Sequence, residues 1–453
     1  MKHKFLLAFA IWLTAFFANT NEVSAQQGRL ITLKEAIDLS IKNSNQLKGS
    51  QARIQEASAA LTEAVERKMP EVAVSGAHIR LNSPNINLKT KSSSSSSGSG
   101  TSTEPSGSGK PTSATYGLVN ASLPIYAGLR IRYGIESSKY LEEAARLDAE
   151  NDREAVILNT INAFDNLYKS RAAVDLVKES LEGSRQRVKE FSSLEKNGIL
   201  PRNDLLKAQL QESNVELSLL DAENNWKLSN INMNLMLGLP DTTVLSVNEN
   251  DLQMTAIQLK PVEEYVQLSI QNRKDIAALN LRKKAANTGV KAAKGGSYPS
   301  IALTGGYIAA DVPNILTVTN ALNIGVGVKY NLSSLWKNAE VDQAKAREKQ
   351  LESNEDALND NVRLQVNQAY QNYLLSTKKI QVYQTAIAQA EENFKIVRNK
   401  FQNQLATTTD LLDADVAQLQ ARLNAAFAKA DASVSYNKLL QTAGLLLTQT
   451  QTK

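Results

Sequence analysis

The chain has 453 residues and no cysteine, which excludes disulfides, thiolate metal sites and a cysteine nucleophile. Its 51 Lys and Arg residues nearly balance 46 Asp and Glu residues, so the charge gives no reason to expect a nucleic acid partner. Only two histidines are present, too few for a zinc cluster or several His-based catalytic sites. Since the sequence also shows no Gly-rich phosphate loop and no metal-ligand spacing, we expect a protein that is not an enzyme and has no metal or cofactor.

The N-terminal segment has the pattern of a secretory signal peptide. Lys2 and Lys4 precede a mostly apolar run from Phe5 to Ala18, and the small-residue site Val23-Ser24-Ala25 follows. The apolar run is shorter than the roughly 20 residues that cross a hydrocarbon core. We expect residues 1–25 to be removed before Gln26, which implies export.

Two sequence offsets reveal an internal duplication. The segment Leu39–Asn43 recurs as Leu268–Asn272, a shift of 229, whereas later pairs such as Asp204 and Asp410 are separated by 206. The difference, 229 − 206 = 23, predicts an insertion of that size in the first half. The run Thr90–Thr112 has this length and contains ten Ser and four Gly, a composition that favours an exposed flexible loop.

The duplication divides the chain into a signal peptide, 1–25, a first repeat, 26–240, a connector, 241–260, and a second repeat, 261–453. In the first repeat we expect strands at 70–81 and 116–126 around a surface loop at 82–115, then long helices at 135–196 and 203–238. In the second repeat we expect strands at 299–309 and 323–332, then long helices at 338–403 and 409–447. Each repeat thus places a pair of strands before a pair of long helices.

The strand segments alternate apolar and polar residues. Ile324, Val326 and Val328 are interleaved with Gly325 and Gly327, and the alternation continues through Tyr330 and Leu332. This period of two is typical of a strand with lipid on one side and a wet lumen on the other. An ordinary soluble sheet is the alternative. Four strands do not close a membrane barrel, so a membrane-embedded sheet requires several chains to pool their strands.

The long helices carry heptad seams. The segment 135–196 lacks proline and predicts a helix of roughly 60 residues, about 90 Å at 1.5 Å per residue. Apolar residues recur every seven positions in both halves, at Leu167, Val174, Leu181 and Val188 and then at Tyr373, Ile380, Ile387, Phe394 and Phe401. Such spacing predicts lateral packing between helices.

Short turns join each helix pair. Asn197-Gly198 stops the first helix and Pro201 prevents its continuation, after which we expect Asn203 to cap a helix led by Asp204. In the second half Thr407-Thr408-Thr409 offers the cap, and Asp410 lies in the first turn, where the helix dipole favours an anion.

The two turns and the doubled helix–strand–strand–helix unit resemble the TolC family of outer membrane factors. The matching residues are Asn197-Gly198, Asp204-Leu205-Leu206, Ala208-Gln209, Asp410-Leu411-Leu412 and Leu237-Gly238-Leu239-Pro240. The resemblance covers nearly the whole mature chain. It implies a mainly α fold with a small β part, in which a homotrimer pools four strands per chain into a 12-stranded transmembrane β-barrel.

The resemblance also implies a role and partners. The protein would be the outer-membrane exit duct of a tripartite efflux or type I secretion system, with its helices in the periplasm. It would conduct substrates passively from an inner-membrane transporter and a periplasmic adaptor protein. The expected adaptor-docking residues are Asn197, Gly198, Asp204, Leu205, Leu206, Leu411 and Leu412. Asp410 and Asp413 would form an acidic ring at the tunnel entrance.

One residue departs from the family pattern. Members that hold the entrance shut with an arginine four residues before the first acid would have it at position 406, which is Ala406 here. The remaining alternative function is a periplasmic coiled-coil spacer without channel activity, in which the strands form a soluble sheet.

Overall fold

The computed structural model describes residues 28–82, 112–247, 259–313, 316–336 and 339–447. The predicted signal peptide, nearly all of the Ser-rich run and residues 248–258 of the connector lie outside the described residues. Among the described residues, no helix combines the length and the apolar character that crossing a membrane requires.

The same order of elements occurs twice. In the first half it is β1 (Arg29–Ile31), α1 (Leu33–Asn43), α2 (Asn45–Glu66), β2 (Glu71–Arg80), β3 (Ser113–Ala127), α3 (Arg130–Lys196) and α4 (Arg202–Leu237). In the second half it is β4 (Leu245–Val247), α5 (Val262–Asn272), α6 (Lys274–Gly295), β5 (Ser300–Val312), β6 (Leu316–Lys329), α7 (Ala339–Gln402) and α8 (Thr408–Thr442), with a 3-10 helix at Leu332–Leu335 before α7. The predicted fold class, mainly α with a small sheet, is confirmed.

Some predicted boundaries differ from those of the structure. The strand expected at 323–332 begins at Leu316 and ends at Lys329, because Asn331 accepts a hydrogen bond from Ser333 N and caps the 3-10 helix. The helix expected at 409–447 ends at Thr442. Gly444 follows with a left-handed φ of 70°, which ends helical hydrogen bonding.

The chain divides into two compact units. The first contains residues up to 50, Ala149–Lys274 and Asn359 onward, and the second contains Gln51–Asp148 and Asp275–Leu358. The first unit holds the paired ends of the long helices and the parallel pair β1–β4. The second holds the four-stranded sheet and the helical segments that join it.

The buried face of α3 stabilises the first unit. Leu167, Val174 and Leu181 are 1%, 6% and 3% exposed, as the first heptad seam predicts. Phe164 and Leu167 pack with Met233 and Leu237 of α4 in one core cluster. Burying such side chains contributes about 1.5–3 kcal/mol each, so these contacts hold α3 laterally between Phe164 and Leu181.

Two equivalent glycines end α4 and α8. Gly238 has φ 69° and an added Cβ would lie 2.8 Å from the side chain of Asn43, whose Nδ2 donates to Leu237 O over 2.5 Å. Gly444 has φ 70°, and an added Cβ there would lie 3.0 Å from Asn272, the counterpart of Asn43 under the shift of 229. Both repeats therefore end the second long helix, α4 or α8, with a left-handed glycine that lies against the last residue of a short helix, α1 or α5.

A carboxyl group is also buried in this unit. Asp165 on α3 is 1% exposed, and its Oδ2 has no hydrogen-bond partner in the described part of the chain. Burial raises the pKa of Asp165 to about 8; the Lys169 ammonium opposes this and the Asp431 carboxylate adds to it. The group is therefore mostly protonated at neutral pH, which avoids a bare charge inside the helix packing.

The sheet of the second unit has the order β2-β3-β5-β6, entirely antiparallel. Its register aligns apolar residues in rows, such as Val74–Val119–Tyr307–Leu322 and Leu123–Leu303–Val326. The alternate rows are small or polar, such as Ala73–Asn120–Gly306–Asn323. Val74, Leu322 and Ile324 on the apolar face are 78%, 73% and 78% exposed. The sheet is thus two-faced, and much of its apolar face is uncovered.

Replacing Gly238 by Ala is expected to lower the free energy of unfolding by about 1–2 kcal/mol, because an L side chain is strained at this φ and its Cβ would meet Asn43. The matched control is Gly49→Ala within α2, where an added Cβ meets nothing within 4 Å. There we expect a gain of roughly 0.5–1 kcal/mol. Thermal unfolding followed by circular dichroism at the helix band measures both, and equal midpoints would contradict the role assigned to Gly238.

Candidate functional site

The site lies at the two helical tips of the first unit, where α3 turns into α4 and α7 turns into α8. The first tip ends α3 with a Schellman motif: Gly198 N donates to Glu195 O over 2.9 Å and Ile199 N donates to Leu194 O over 2.9 Å. Gly198 supplies the required left-handed φ of 71°. The predicted stop at Asn197-Gly198 therefore has this physical basis.

The second tip repeats the motif without glycine. Gln404 N donates to Phe401 O over 3.0 Å and Leu405 N donates to Lys400 O over 2.8 Å. Gln404 stands 206 residues after Gly198 and has a φ of 60°. A non-glycine residue in this conformation is strained, so the surrounding packing must stabilise the turn.

The helices that follow the turns begin differently. The expectation that Asn203 caps α4 was wrong: the N-cap is Pro201, which makes no side-chain cap bond, and α4 begins at Arg202. Proline fixes φ near the value that the cap needs and its missing N–H costs nothing there. The Asp204 carboxylate instead accepts from Lys207 Nζ over 3.2 Å.

The cap of α8 is the one that the sequence predicts. Thr407 Oγ1 accepts from Asp410 N, and the Asp410 carboxylate accepts from Thr407 N over 2.9 Å, a capping box. The Thr407 hydroxyl also donates to Asp410, and these bonds lower the pKa of Asp410. Asp410 and Asp413 are both exposed in the single chain. Asp410 is consequently a fixed carboxylate that stays charged at neutral pH.

The predicted docking leucines differ in exposure. Leu205, Leu411 and Leu412 are 7%, 4% and 9% exposed, whereas Leu206 is 52% exposed. Leu205 and Leu411 pack with Phe191 in a cluster shared by all four helix ends. Phe191 also stacks on Phe401 with ring centroids 5.3 Å apart. Leu205 and Leu411 therefore hold the two tips together, and of the four leucines only Leu206 presents its side chain to solvent.

An ion-pair network that sequence reasoning missed links the tips. Arg187 on α3 binds Asp415 on α8 through two nitrogens, at 2.9 and 3.0 Å, and these side chains are only 10% and 13% exposed. Arg187 also lies over the Phe394 ring at 5.9 Å. Arg422 on α8 pairs with Glu179 and Glu391 at 3.0 and 3.1 Å. Heptad spacing identifies apolar seams but does not show which charges meet across helices.

All of these groups except Glu391 line a cavity of about 980 Å³ between the tips. Its wall includes Arg187, Arg398, Lys207 and Asp415, and also Ala406. The described residues contain no cluster of His, Cys, Asp or Glu suited to a metal ion. The arrangement is chemically suited to holding two helix pairs in one position and to presenting Asp410 and Asp413 on the surface.

Comparisons with known proteins bear on the whole chain. The profile of the family described as "Outer membrane efflux protein" matches residues 36–239 and 265–445. The chain is 22% identical over 337 residues to outer membrane efflux protein BepC of Brucella suis biovar 1 (strain 1330), covering 74% of this chain and 72% of BepC.

Two solved structures have a similar fold. The outer membrane protein VceC of Vibrio cholerae aligns with a TM-score of 0.73 at 18% identity, over 91% of this chain and 96% of VceC. The CmeC outer membrane channel of Campylobacter jejuni aligns with a TM-score of 0.74 at 18% identity, over 91% of this chain and 86% of CmeC.

Replacing Arg187 by Met or Asp415 by Leu is expected to cost about 3 kcal/mol each, because either change leaves a nearly buried charge without its partner. The double replacement should cost much less than the sum. A double-mutant cycle by denaturant unfolding measures the coupling. The exposed pair Glu392–Lys395, 62% and 71% exposed, is the control and should couple by under roughly 0.5 kcal/mol. Equal coupling in both pairs would contradict the assignment.

Proposed function

This chain belongs to the outer membrane efflux protein family, and we propose that it is the outer-membrane exit duct of a tripartite efflux or type I secretion system. Substrates would pass through it without chemical change, driven by an inner-membrane transporter. The observation that supports this proposal best is the sheet of the second unit, with one apolar and one polar face. An apolar face that is exposed on edge strands β2 and β6 suits contact with hydrocarbon.

A membrane position for the sheet would also require other copies of the chain. Its edge strands β2 and β6 each pair on one side only among the described strands, and unpaired backbone groups are costly in lipid. Three chains with four strands each would give a closed barrel of twelve, the homotrimer that the family resemblance implies. Its strands would lie in the outer membrane and its helices in the periplasm.

Exposed apolar stripes on the helices support the same assembly. On α7, Leu375, Val382 and Ile396 follow heptad spacing and are 54%, 53% and 44% exposed. On α4 the exposed apolar residues are Leu206, Leu210, Leu217, Leu220, Leu228, Ile231 and Leu235. Exposed apolar residues on two long helices suit helix packing between neighbouring subunits.

The tips would provide the docking surface for a periplasmic adaptor protein. Asn197, Gly198 and Leu206 are exposed there and Asp204 is half-buried, so these residues are available for contact. Leu205, Leu411 and Leu412 would act indirectly, by fixing the shape of the tips. Asp410 and Asp413 would ring the tunnel entrance, where three chains contribute six carboxylates whose field attracts cations.

The proposal predicts opposite effects for two neighbouring substitutions in β6. Ile324→Lys places a charge on the apolar face, at an expected cost of about 2–4 kcal/mol near the middle of a bilayer, and should abolish recovery of the chain in outer-membrane fractions. Asn323→Lys, on the other face of the same strand, should leave insertion and single-channel conductance in planar bilayers intact. If both variants stay aqueous and monomeric together with the wild type, the chain is a periplasmic spacer.

The acidic ring is tested separately. Asp410→Asn with Asp413→Asn should lower the cation-over-anion permeability ratio, because it removes six carboxylates from the trimer entrance. Asp410→Asn also weakens the capping box, so Asp413→Asn alone isolates the charge effect. Glu392→Gln, an exposed acid on α7, is the control and should leave the ratio unchanged. An unchanged ratio in the Asp413 variant would remove that residue from the entrance.

A further inference from the structure

A second cavity, of about 1120 Å³, lies in the strand-bearing unit where helices join strands. Ala127 at the end of β3 pairs with Ser300 at the start of β5, and Ser300 pairs with Lys329 at the end of β6. The helix–strand junctions therefore meet at one end of the sheet, and residues of α2, α3, α6 and α7 all contribute to the cavity wall.

The charges that line this cavity are mainly positive. Five cations contribute to its wall, Arg67, Arg130, Arg282, Lys329 and Arg347, against the two acids Glu63 and Glu340. Arg67 pairs with Glu63 at 2.9 Å and Arg282 pairs with Asp148.

The other three cations, Arg130, Lys329 and Arg347, are exposed. None of the three has an ion-pair partner in the part of the chain that the structure describes. Unneutralised guanidinium and ammonium groups around one cavity are suited to a ligand that carries a phosphate.

The rest of the wall is small and mostly apolar. Eight Ala and four Gly residues line it, twelve in all. Along α6 the wall extends from Arg282 to Gly295, about 20 Å at 1.5 Å per residue. A long surface without bulky side chains leaves room for a hydrocarbon chain beside a charged group.

Apolar and aromatic side chains are exposed at the same junctions. Tyr298, which lines the cavity, is 58% exposed, and Met69, Leu332 and Trp336 are 60%, 59% and 68% exposed. Tyr and Trp beside Arg and Lys are the side chains that proteins place at the level of lipid headgroups.

We infer that this cavity binds the phosphate headgroup of an anionic phospholipid, with Arg130, Lys329 and Arg347 around the phosphate and the acyl chain along the Ala and Gly surface. The inference rests on the proposed function, since it needs the sheet to lie in the outer membrane with the junctions at its periplasmic leaflet. The lipid would fix the depth of the sheet in that leaflet.

The test uses the full chain in detergent, titrated with fluorescent phosphatidylglycerol in mixed micelles. The wild type should bind phosphatidylglycerol in preference to phosphatidylcholine. Each surface cation contributes roughly fivefold, so Arg130→Gln with Lys329→Gln and Arg347→Gln should weaken binding on the order of 100-fold. Arg130→Lys with Arg347→Lys should retain most of the affinity, and helical circular dichroism verifies folding.

The matched control is Lys291→Gln with Lys345→Gln and Lys349→Gln, which removes the same charge from exposed positions of α6 and α7 outside the cavity. It should leave binding unchanged. Equal losses in both triple variants, equal binding of phosphatidylcholine, or full competition by millimolar inorganic phosphate would overturn the lipid assignment.

The oligomeric state of the triple variant provides another outcome. If it dissociates into single chains while lipid binding is unaltered, the cavity is a contact between copies and the inference fails. Planar-bilayer conductance of the wild type separates the two proposals. If the wild type conducts but does not bind phosphatidylglycerol selectively, only this inference fails. If it neither conducts nor binds selectively, the proposed function fails as well.

Discussion

The proposed assembly depends on one constraint, which is the backbone hydrogen bonding at the two edges of the four-stranded sheet. Strands β2 and β6 each leave one row of N–H and C=O groups without a strand partner within the described chain. Water can satisfy these groups at a soluble surface, but the apolar face of the same sheet is unsuited to water. In hydrocarbon only another strand can satisfy them. If the apolar face of the sheet lies in hydrocarbon, the two open edges would leave a lone chain incomplete, and the proposed trimer would follow from that constraint.

At the helical tips, contacts within the chain hold two helix pairs together and leave charged groups on the surface. The cluster of Phe191, Leu205 and Leu411 supplies apolar contact. The bidentate Arg187–Asp415 pair adds directional hydrogen bonds between α3 and α8. These contacts lie within one chain and do not require an arginine at the position of Ala406. Asp410 can complete the capping box with Thr407 and remain exposed at the same time.

The two repeats keep the same residue where a left-handed backbone conformation and a close contact require glycine, and they differ elsewhere. Gly238 and Gly444 retain the same left-handed conformation against Asn43 and Asn272, because no other residue fits there without strain. At the tips the same turn uses Gly198 in one repeat and the strained Gln404 in the other. The two tips thus share their topology but differ in charge: Asp410 corresponds to Asp204 of the first repeat, whereas Asp413 corresponds to Lys207.

The sequence by itself determined the features that depend on local pattern. Offsets of 229 and 206 identified the two repeats, period-two alternation identified the strands, and the heptads around Leu167 identified the buried seam. Thr407 and Asp410 were recognisable as a cap because capping is a short-range interaction. Local pattern also misplaced some ends, such as that of β6 at Lys329, where a side-chain cap on Asn331 decides the boundary.

Only the tertiary structure decided which side chains meet across helices. Nothing in the spacing of Arg187 and Asp415 distinguishes them from other charges, and only the packing of α3 against α8 pairs them. The same is true of Leu205 and Leu206, which are adjacent in sequence but differ in environment, since Leu205 is buried and Leu206 is exposed. The raised pKa of Asp165 likewise depends on burial between helices, because desolvation is a property of the packed state and not of the local chain.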